Sequence, residues 1–422
     1  VKKFVLISFL AVIFFALRLP ALNSLKPEQV LGGDAEHYYL IAKNISENGV
    51  YSESGTIPSE GATWRPPVWP FVLSTYMQIS DSFSFIILMK LIMELCLIII
   101  ATFIIYRIYG NSSIAIGVMC LCVIEPQFIK YSTTMLSENL SALLILINGL
   151  ILLYLNKNIK NVWLHYLFGM LSGIIIITHP VAIFYILLLL SYYAWILYKS
   201  GLILKHTPVF IIFTIIVLAW PVRNESVFKQ GYYITASQGA TFSKGWNDSV
   251  PYLYTNTKSD LADEGLNVAK YLHTEEISKT SQSTLGLKKL QTHATLEFIK
   301  QADLTLLSEI ILIKVKSNFN PFPETPKPGK IESAGSLFRL LYLLTFFFCL
   351  SILVSKHKLV TNNGLLHAPI LLIVFVYIAQ TFMSVAIYTG LRFNAIYSLT
   401  LVTSCFLVWL EIWKQRHYFI RK

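Results

Sequence analysis

Charge is what this sequence has least of. Asp, Glu, Lys and Arg together make up 14% of its 422 residues, against 55% apolar ones. That balance excludes an ordinary soluble domain, in which about a quarter of the residues are charged. Other absences narrow the reading further. No glycine-rich phosphate loop opens a helix, no strand and helix segments alternate, and no cytoplasmic segment is large enough for a nucleotide fold, so nothing points to a nucleotide. A Gly-x-Ser-x-Gly stretch is also missing, which leaves Ser-His-Asp hydrolysis unsupported. The five cysteines, Cys96, Cys120, Cys122, Cys349 and Cys405, all fall inside apolar runs, where they serve as small hydrophobes and supply no disulfide framework. Internal repetition is absent as well, which counts against the symmetric halves of many secondary transporters.

What the sequence does have is a succession of apolar runs, and it reads as an all-α polytopic membrane protein. Ten runs approach the length needed to cross a hydrocarbon core: residues 4–19, 83–106, 114–129, 136–155, 162–177, 181–197, 208–220, 337–354, 367–387 and 393–412. Only Thr178-His179-Pro180 separates the fifth from the sixth, so these two form a tight hairpin. Ten spans put Lys2, Lys3, Arg107, Lys157, Lys160, Lys199, Lys205, Lys356, Lys358, Lys414, Arg416, Arg421 and Lys422 on one side, which the positive-inside rule makes the cytoplasm. Both ends are then cytoplasmic, in a plasma (inner) membrane. This bias explains most of the +11 net charge, so the basic balance reports orientation and gives no support to nucleic-acid binding. No small-residue cleavage site follows the first run, which is read as a retained span.

Two regions lie outside the cytoplasm on this reading. Residues 20–82 form a first outer loop within a transmembrane catalytic module, 1–220; residues 221–335 form a small extracytoplasmic domain; residues 336–422 are C-terminal transmembrane helices. Within the second region, Leu285 to Gln301 has the apolar spacing of an amphipathic helix, and Leu304 to Val315, interrupted by Glu309 and Lys314, belongs at the interface.

Chemistry concentrates in a polar island, Gly32-Gly33-Asp34-Ala35-Glu36-His37-Tyr38-Tyr39, followed by Thr63-Trp64-Arg65-Pro66-Pro67-Val68-Trp69-Pro70. A carboxylate and a guanidinium beside a membrane suit a lipid-linked phosphate, because a base can activate an acceptor while a fixed cation holds the leaving phosphate. Asp34 falls in a first helical turn, as a base or as a complement to the helix dipole. Glu36 and His37 beside it raise the alternative of a divalent metal, although neighbours on a helix point in different directions. Arg65 is aimed by two prolines; otherwise it is a snorkelling arginine with Trp64 and Trp69 as interfacial anchors. Glu138, in the turn after Tyr131, either faces the site as an acceptor or metal contact or caps the next helix. His179, in the tight hairpin, is a phosphate donor, a metal ligand or a satisfied interfacial residue. Arg392 stands where it meets a phosphate or snorkels.

Taken together, Gly33-Asp34 with Tyr38 and Ala42, Gly49-Val50-Tyr51 and Trp64 to Pro70 resemble the first outer loop of GT-C glycosyltransferases. The branch is that of the dolichyl-phosphate-mannose protein mannosyltransferases and the lipid A aminoarabinose transferase. Ser137-Glu138 resembles its acidic second outer loop, Ala219-Trp220-Pro221-Val222-Arg223-Asn224 its Pro-Trp-x-x-Arg-Asn signature, Thr235 to Asn247 its Ser-Thr and Gly-Asn-Asn region, and Tyr388 to Phe393 its Arg-Phe element. The resemblance implies a GT-C fold with outer-face juxtamembrane helices, a polyprenyl-phosphate sugar donor and a lipid, glycan or protein acceptor. Asp34 matches the catalytic base, and Arg65, Arg223 and Arg392 match positions facing the donor phosphate. Trp64 stands where the aminoarabinose enzymes carry an acidic metal contact, and His179-Pro180 stands where Arg-Pro is expected. The alternatives are a lipid-linked sugar transporter or flippase, which requires charges deep in spans such as Glu94, and a surface-polysaccharide ligase or polymerase.

Overall fold

The computed structural model describes residues 2–22, 30–55, 61–229, 231–252, 266–272, 284–322, 330–354, 364–387 and 394–420. All regular elements among them are helical. An apolar chain in hydrocarbon has no water to satisfy its peptide groups, and a helix satisfies them within one segment. The elements are α1 (Lys2–Ala16), α2 (Leu19–Leu22), α3 (Asp34–Asn48), α4 (Val68–Met77), α5 (Phe83–Tyr109), α6 (Ser112–Ile124), α7 (Pro126–Tyr131), α8 (Glu138–Lys157) and α9 (Val162–Thr178). They continue with α10 (Ile183–Lys199), α11 (Thr207–Phe228), α12 (Gln238–Gly245), α13 (Leu266–Tyr271), α14 (Thr284–Gln301), α15 (Leu304–Asn318), α16 (Lys330–Val354), α17 (Gly364–Ala386) and α18 (Ser398–Ile420). Six helical stretches among the described residues, Phe83–Tyr109, Glu138–Lys157, Pro180–Lys199, Thr207–Phe228, Ser333–Val354 and Leu366–Ala386, are long and apolar enough to cross a membrane. Val5–Ala16, Ser112–Ile124 and Val162–Thr178 are apolar but shorter.

α8 is the axis of the bundle. It packs on α5, α9, α10, α17 and α18 and is buried along nearly its whole length, which is why its sequence is apolar on every face. Outer helices bury one side and turn Ile99, Phe103, Ile211, Ile215, Leu341 and Leu344 outward, as a lipid-facing surface should. α9 and α11 approach closely through Gly169 and Gly173: an added Cβ would sit 2.6 Å from the Val209 carbonyl oxygen and 2.8 Å from Ile216 Cβ. This is the small-xxx-small device of helices packed in lipid.

Three boundaries differ from the sequence reading. The run through residue 129 breaks at Glu125, whose Oε2 accepts from the Phe128 amide at 2.6 Å and caps α7, with Pro126 at its first position. α11 does not stop at Trp220 but continues through Pro221 to Phe228, so Arg223 rides on a helix. The last helix begins at Ser398.

A second group of helices, α12 to α15, covers one end of the bundle. α12 and α13 pack on α14, and α15 packs on α17, around small clusters such as Trp246, Val250, Phe298 and Ile310. Trp246 Nε1 donates to the Ala386 carbonyl at 3.2 Å and Lys314 Nζ to the Val385 carbonyl at 3.3 Å, joining this group to the end of α17.

Candidate active site

The first loop folds back on itself. Gly33, at φ +60°, turns the chain into α3 and leaves Asp34 as its first helical residue, where a carboxylate also meets the positive end of the helix dipole. α3 buries Ala35, Tyr38, Ile41 and Ala42 and packs on α4. The 3-10 turn Gly61–Trp64 and the following prolines then return Arg65 to the start of α3. Arg65 Nη2 donates to Asp34 Oδ1 at 2.5 Å; the Arg65 side chain is 11% exposed and the Asp34 side chain 33%. The two residues assigned to base and phosphate cation are therefore in direct contact. Arg65 also lies 5.5 Å from the Tyr38 ring centroid, and its buried Nε has no hydrogen-bond partner among the described residues.

Tyr51 extends the site to Arg223. Its hydroxyl donates to the Arg65 carbonyl at 3.0 Å, its ring lies 4.7 Å from Trp220, and the Arg223 guanidinium sits 4.9 Å from the Trp220 ring and 5.6 Å from Tyr51. Arg223 Nη1 donates to Asn224 Oδ1 at 3.0 Å; no carboxylate among the described residues pairs with it. Aromatic faces thus stabilise this cation. Burial raises the Tyr38 and Tyr51 phenols above their ordinary range, so both stay protonated, and Tyr51 serves as a donor.

The turn before α8 completes the cluster. Tyr38 Oη and Ser137 Oγ are 3.5 Å apart, and Glu138, the first residue of α8, is buried. The charges of Asp34, Arg65 and Glu138 all act on the Tyr38 phenol. The Thr235–Ser237 stretch joins from the other side, with the Ala236 amide donating to the Thr63 carbonyl at 2.7 Å. Nearby, Lys288 Nζ lies 4.0 Å over the Tyr233 ring, and burial, aided by Lys289, lowers its pKa to about 8.

The remaining candidates are dispersed. His37 Nδ1 and Glu53 Oε1 lie 2.6 Å apart, while Glu36 is exposed. His179 is buried in the hairpin between α9 and α10. Arg392 and the 388–393 element lie outside the described residues. No group of three His, Cys, Asp or Glu side chains among the described residues is placed to hold a metal ion. Trp69 corrects the sequence reading: it is fully buried, with Nε1 donating to the Met135 carbonyl at 2.7 Å, and is no interfacial anchor. Sequence reasoning noted Glu94 but missed Lys90, although a Lys-x-x-x-Glu spacing inside an apolar run was the available signal.

No family model matches the sequence, and no curated protein matches it. The fold does have a solved counterpart, the apo crystal structure of an oligosaccharyltransferase from Archaeoglobus fulgidus, with a TM-score of 0.53 at 13% identity. The match covers 99% of this chain and 51% of the other, so the chain spans about half the length of that protein. The likeness identifies the architecture as a GT-C type, all-helical membrane fold.

Proposed function

We propose that this protein is a membrane glycosyltransferase that moves a sugar from a polyprenyl-phosphate donor to a lipid, glycan or protein acceptor on the extracytoplasmic face, with inversion at the anomeric carbon. The observation that carries the reading is the Asp34–Arg65 contact, 2.5 Å long and partly open, at the start of α3. Asp34 takes the proton of an acceptor hydroxyl as its oxygen bonds to the anomeric carbon. The bond from that carbon to the phosphate oxygen breaks, and the electron pair leaves with the polyprenyl phosphate. Arg65 neutralises the phosphate, with Arg223 and the Arg392 position as further cations. Glu138 orients the acceptor from the first turn of α8.

Sugar transfer by purified protein from extracted polyprenyl-phosphate sugars is the test, with Asp34→Asn as control. Loss of a base costs about 10²- to 10⁴-fold in rate, and an Asp34→Asn enzyme with full activity would remove the mechanism. The Lys and Arg bias supports cytoplasmic ends, an extracytoplasmic domain over 221–335 and an outward-facing site. A membrane-impermeant thiol reagent should then label Ser54→Cys, not Asn158→Cys, in intact cells, and the reverse pattern would invert the topology.

A further inference from the structure

Glu94 is a charge deep within α5 that the proposed transfer does not use, and it is paired with Lys90 one turn earlier, Nζ to Oε1 at 3.4 Å, both side chains essentially inaccessible. The remaining bonds of this pair converge on one segment, from the last residue of α7 through the irregular turn to the first turn of α8. Lys90 Nζ donates to the carbonyls of Tyr131 at 2.6 Å, Ser132 at 3.1 Å and Thr134 at 2.8 Å. Glu94 Oε1 accepts from Asn139 Nδ2 at 3.0 Å, and Oε2 lies 3.2 Å from the Ser132 hydroxyl, whose single proton also has the Phe128 carbonyl within reach at 2.7 Å. From other directions, Arg18 Nε donates to Ser132 Oγ at 2.9 Å and Trp69 Nε1 to the Met135 carbonyl at 2.7 Å.

Non-helical backbone at membrane depth persists only where protein groups satisfy it, and here side chains of α4 and α5 serve three of the turn's carbonyls and that of Tyr131, the last residue of α7. A buried ion pair gains little stability over apolar residues of the same size, so its value lies in what it orients. We propose that Lys90 and Glu94 are positioning residues. From inside the bundle they set the turn from Ser132 to Asn139 so that Ser137 and Glu138 face Tyr38 and the Asp34–Arg65 pair. This rests on the glycosyltransferase reading and adds to it, because it assigns the membrane-buried charges to the shape of the site and not to a translocation path.

The test combines kinetics with backbone amide exchange, read by mass spectrometry on the full chain in detergent, for Glu94→Gln and Ser132→Ala. Ser132→Ala removes the hydroxyl that accepts from Arg18 and Asn139 and stands beside Glu94 and the Phe128 carbonyl, without altering any charge, and it serves where Glu94→Gln fails to fold. A displacement of about 1 Å in a reacting site costs up to roughly 100-fold. The expected result is faster exchange confined to residues 131–139, native exchange along the interior of α8, and kcat lowered roughly 10- to 100-fold at unchanged donor KM. Exchange accelerated throughout the bundle, with kcat and KM shifting together, overturns positioning in favour of a merely structural pair. Native exchange in the turn with native kcat overturns it too. Exchange needs no substrate, so if neither native nor variant protein transfers sugar, the functional reading fails while the exchange pattern still decides this one.

Discussion

Asp34→Asn is expected to slow sugar transfer about 10²- to 10⁴-fold and at the same time tighten the binding of polyprenyl phosphate. In the resting site Arg65 is already engaged, through Nη2, by the Asp34 carboxylate. A phosphate arriving at that guanidinium must compete with it. Opposite charges about 4 Å apart attract by about 4 kcal/mol at an effective dielectric constant near 20. Solvent at Asp34, which is one-third exposed, reduces the net worth of the pair to the order of 1–2 kcal/mol. Neutralising the carboxylate returns that free energy to the phosphate, so affinity should rise roughly 5- to 30-fold at 1.4 kcal/mol per factor of ten.

Titration of the purified protein with polyprenyl phosphate measures this, followed by the part of the tryptophan fluorescence change that is lost in Trp220→Phe, since Trp220 lies beside Arg223. Arg65→Met should weaken binding by at least about tenfold, and adding Asp34→Asn to Arg65→Met should then bring no gain, because the competitor is lost with the site. Affinity unchanged or weakened in Asp34→Asn would refute the competition and leave Arg65 as a partner of Asp34 alone. If the competition holds, steady-state kinetics follow a compulsory order, donor before acceptor, since Asp34 is released as a base only when phosphate occupies Arg65.

Two further expectations concern stability. Gly169→Leu should lower the melting temperature in detergent sharply, because overpacking costs about 1–3 kcal/mol even where the backbone can shift and here a Cβ already meets the Val209 carbonyl; an unchanged melting point would mean that α9 and α11 do not touch there. Lys288 should make stability depend on alkaline pH. Its folded pKa of about 8 lies below the ordinary lysine value, so between them the unfolded chain holds a proton that the folded chain has released. Its contribution is complete above about 10.4 and is lost as pH falls through about 8. The rise in melting temperature across that window should flatten in Lys288→Met, and equal slopes for both proteins would contradict the burial.

The parts of this architecture that were legible in the sequence are those set by local composition. Apolar runs long enough for a bilayer become helices because nothing else satisfies their backbone, and Gly33 before Asp34 marks a helix start through backbone freedom alone. What was not legible is distance. Asp34 meets Arg65 across 31 residues, and Tyr51 meets Trp220 and Arg223 only because the first loop and the end of α11 reach the same rim. Trp69 shows the limit most clearly. A tryptophan beside prolines at the edge of an apolar run has the composition of an interfacial anchor, yet α4 lies against α5 and α9, and its indole bonds to a carbonyl of another turn. The continuation of α11 through Pro221 was hidden because proline ends helices by a local rule, which this helix overrides.

The distribution of bonds among the charged groups supports the functional reading independently of the fold. A carrier must let its buried charges exchange partners as cargo passes. Lys90 instead donates to the carbonyls of Tyr131, Ser132 and Thr134 and pairs with Glu94, and Glu94 accepts from Asn139 and lies 3.2 Å from the Ser132 hydroxyl, all within the segment from the end of α7 to the start of α8. Breaking that set would leave several polar groups unsatisfied in a low-dielectric interior, where each is costly. Asp34 and Arg65 differ: their contact stands partly open, with one-third of the Asp34 side chain exposed, and among the described residues Arg65 Nε has no hydrogen-bond partner. The charge that can be exchanged at small cost is therefore at the rim, beside the two tyrosines and Arg223, and the charge that cannot is inside the bundle. An enzyme that performs chemistry at its surface on a lipid-anchored substrate requires that division, whereas a translocation path requires the opposite one.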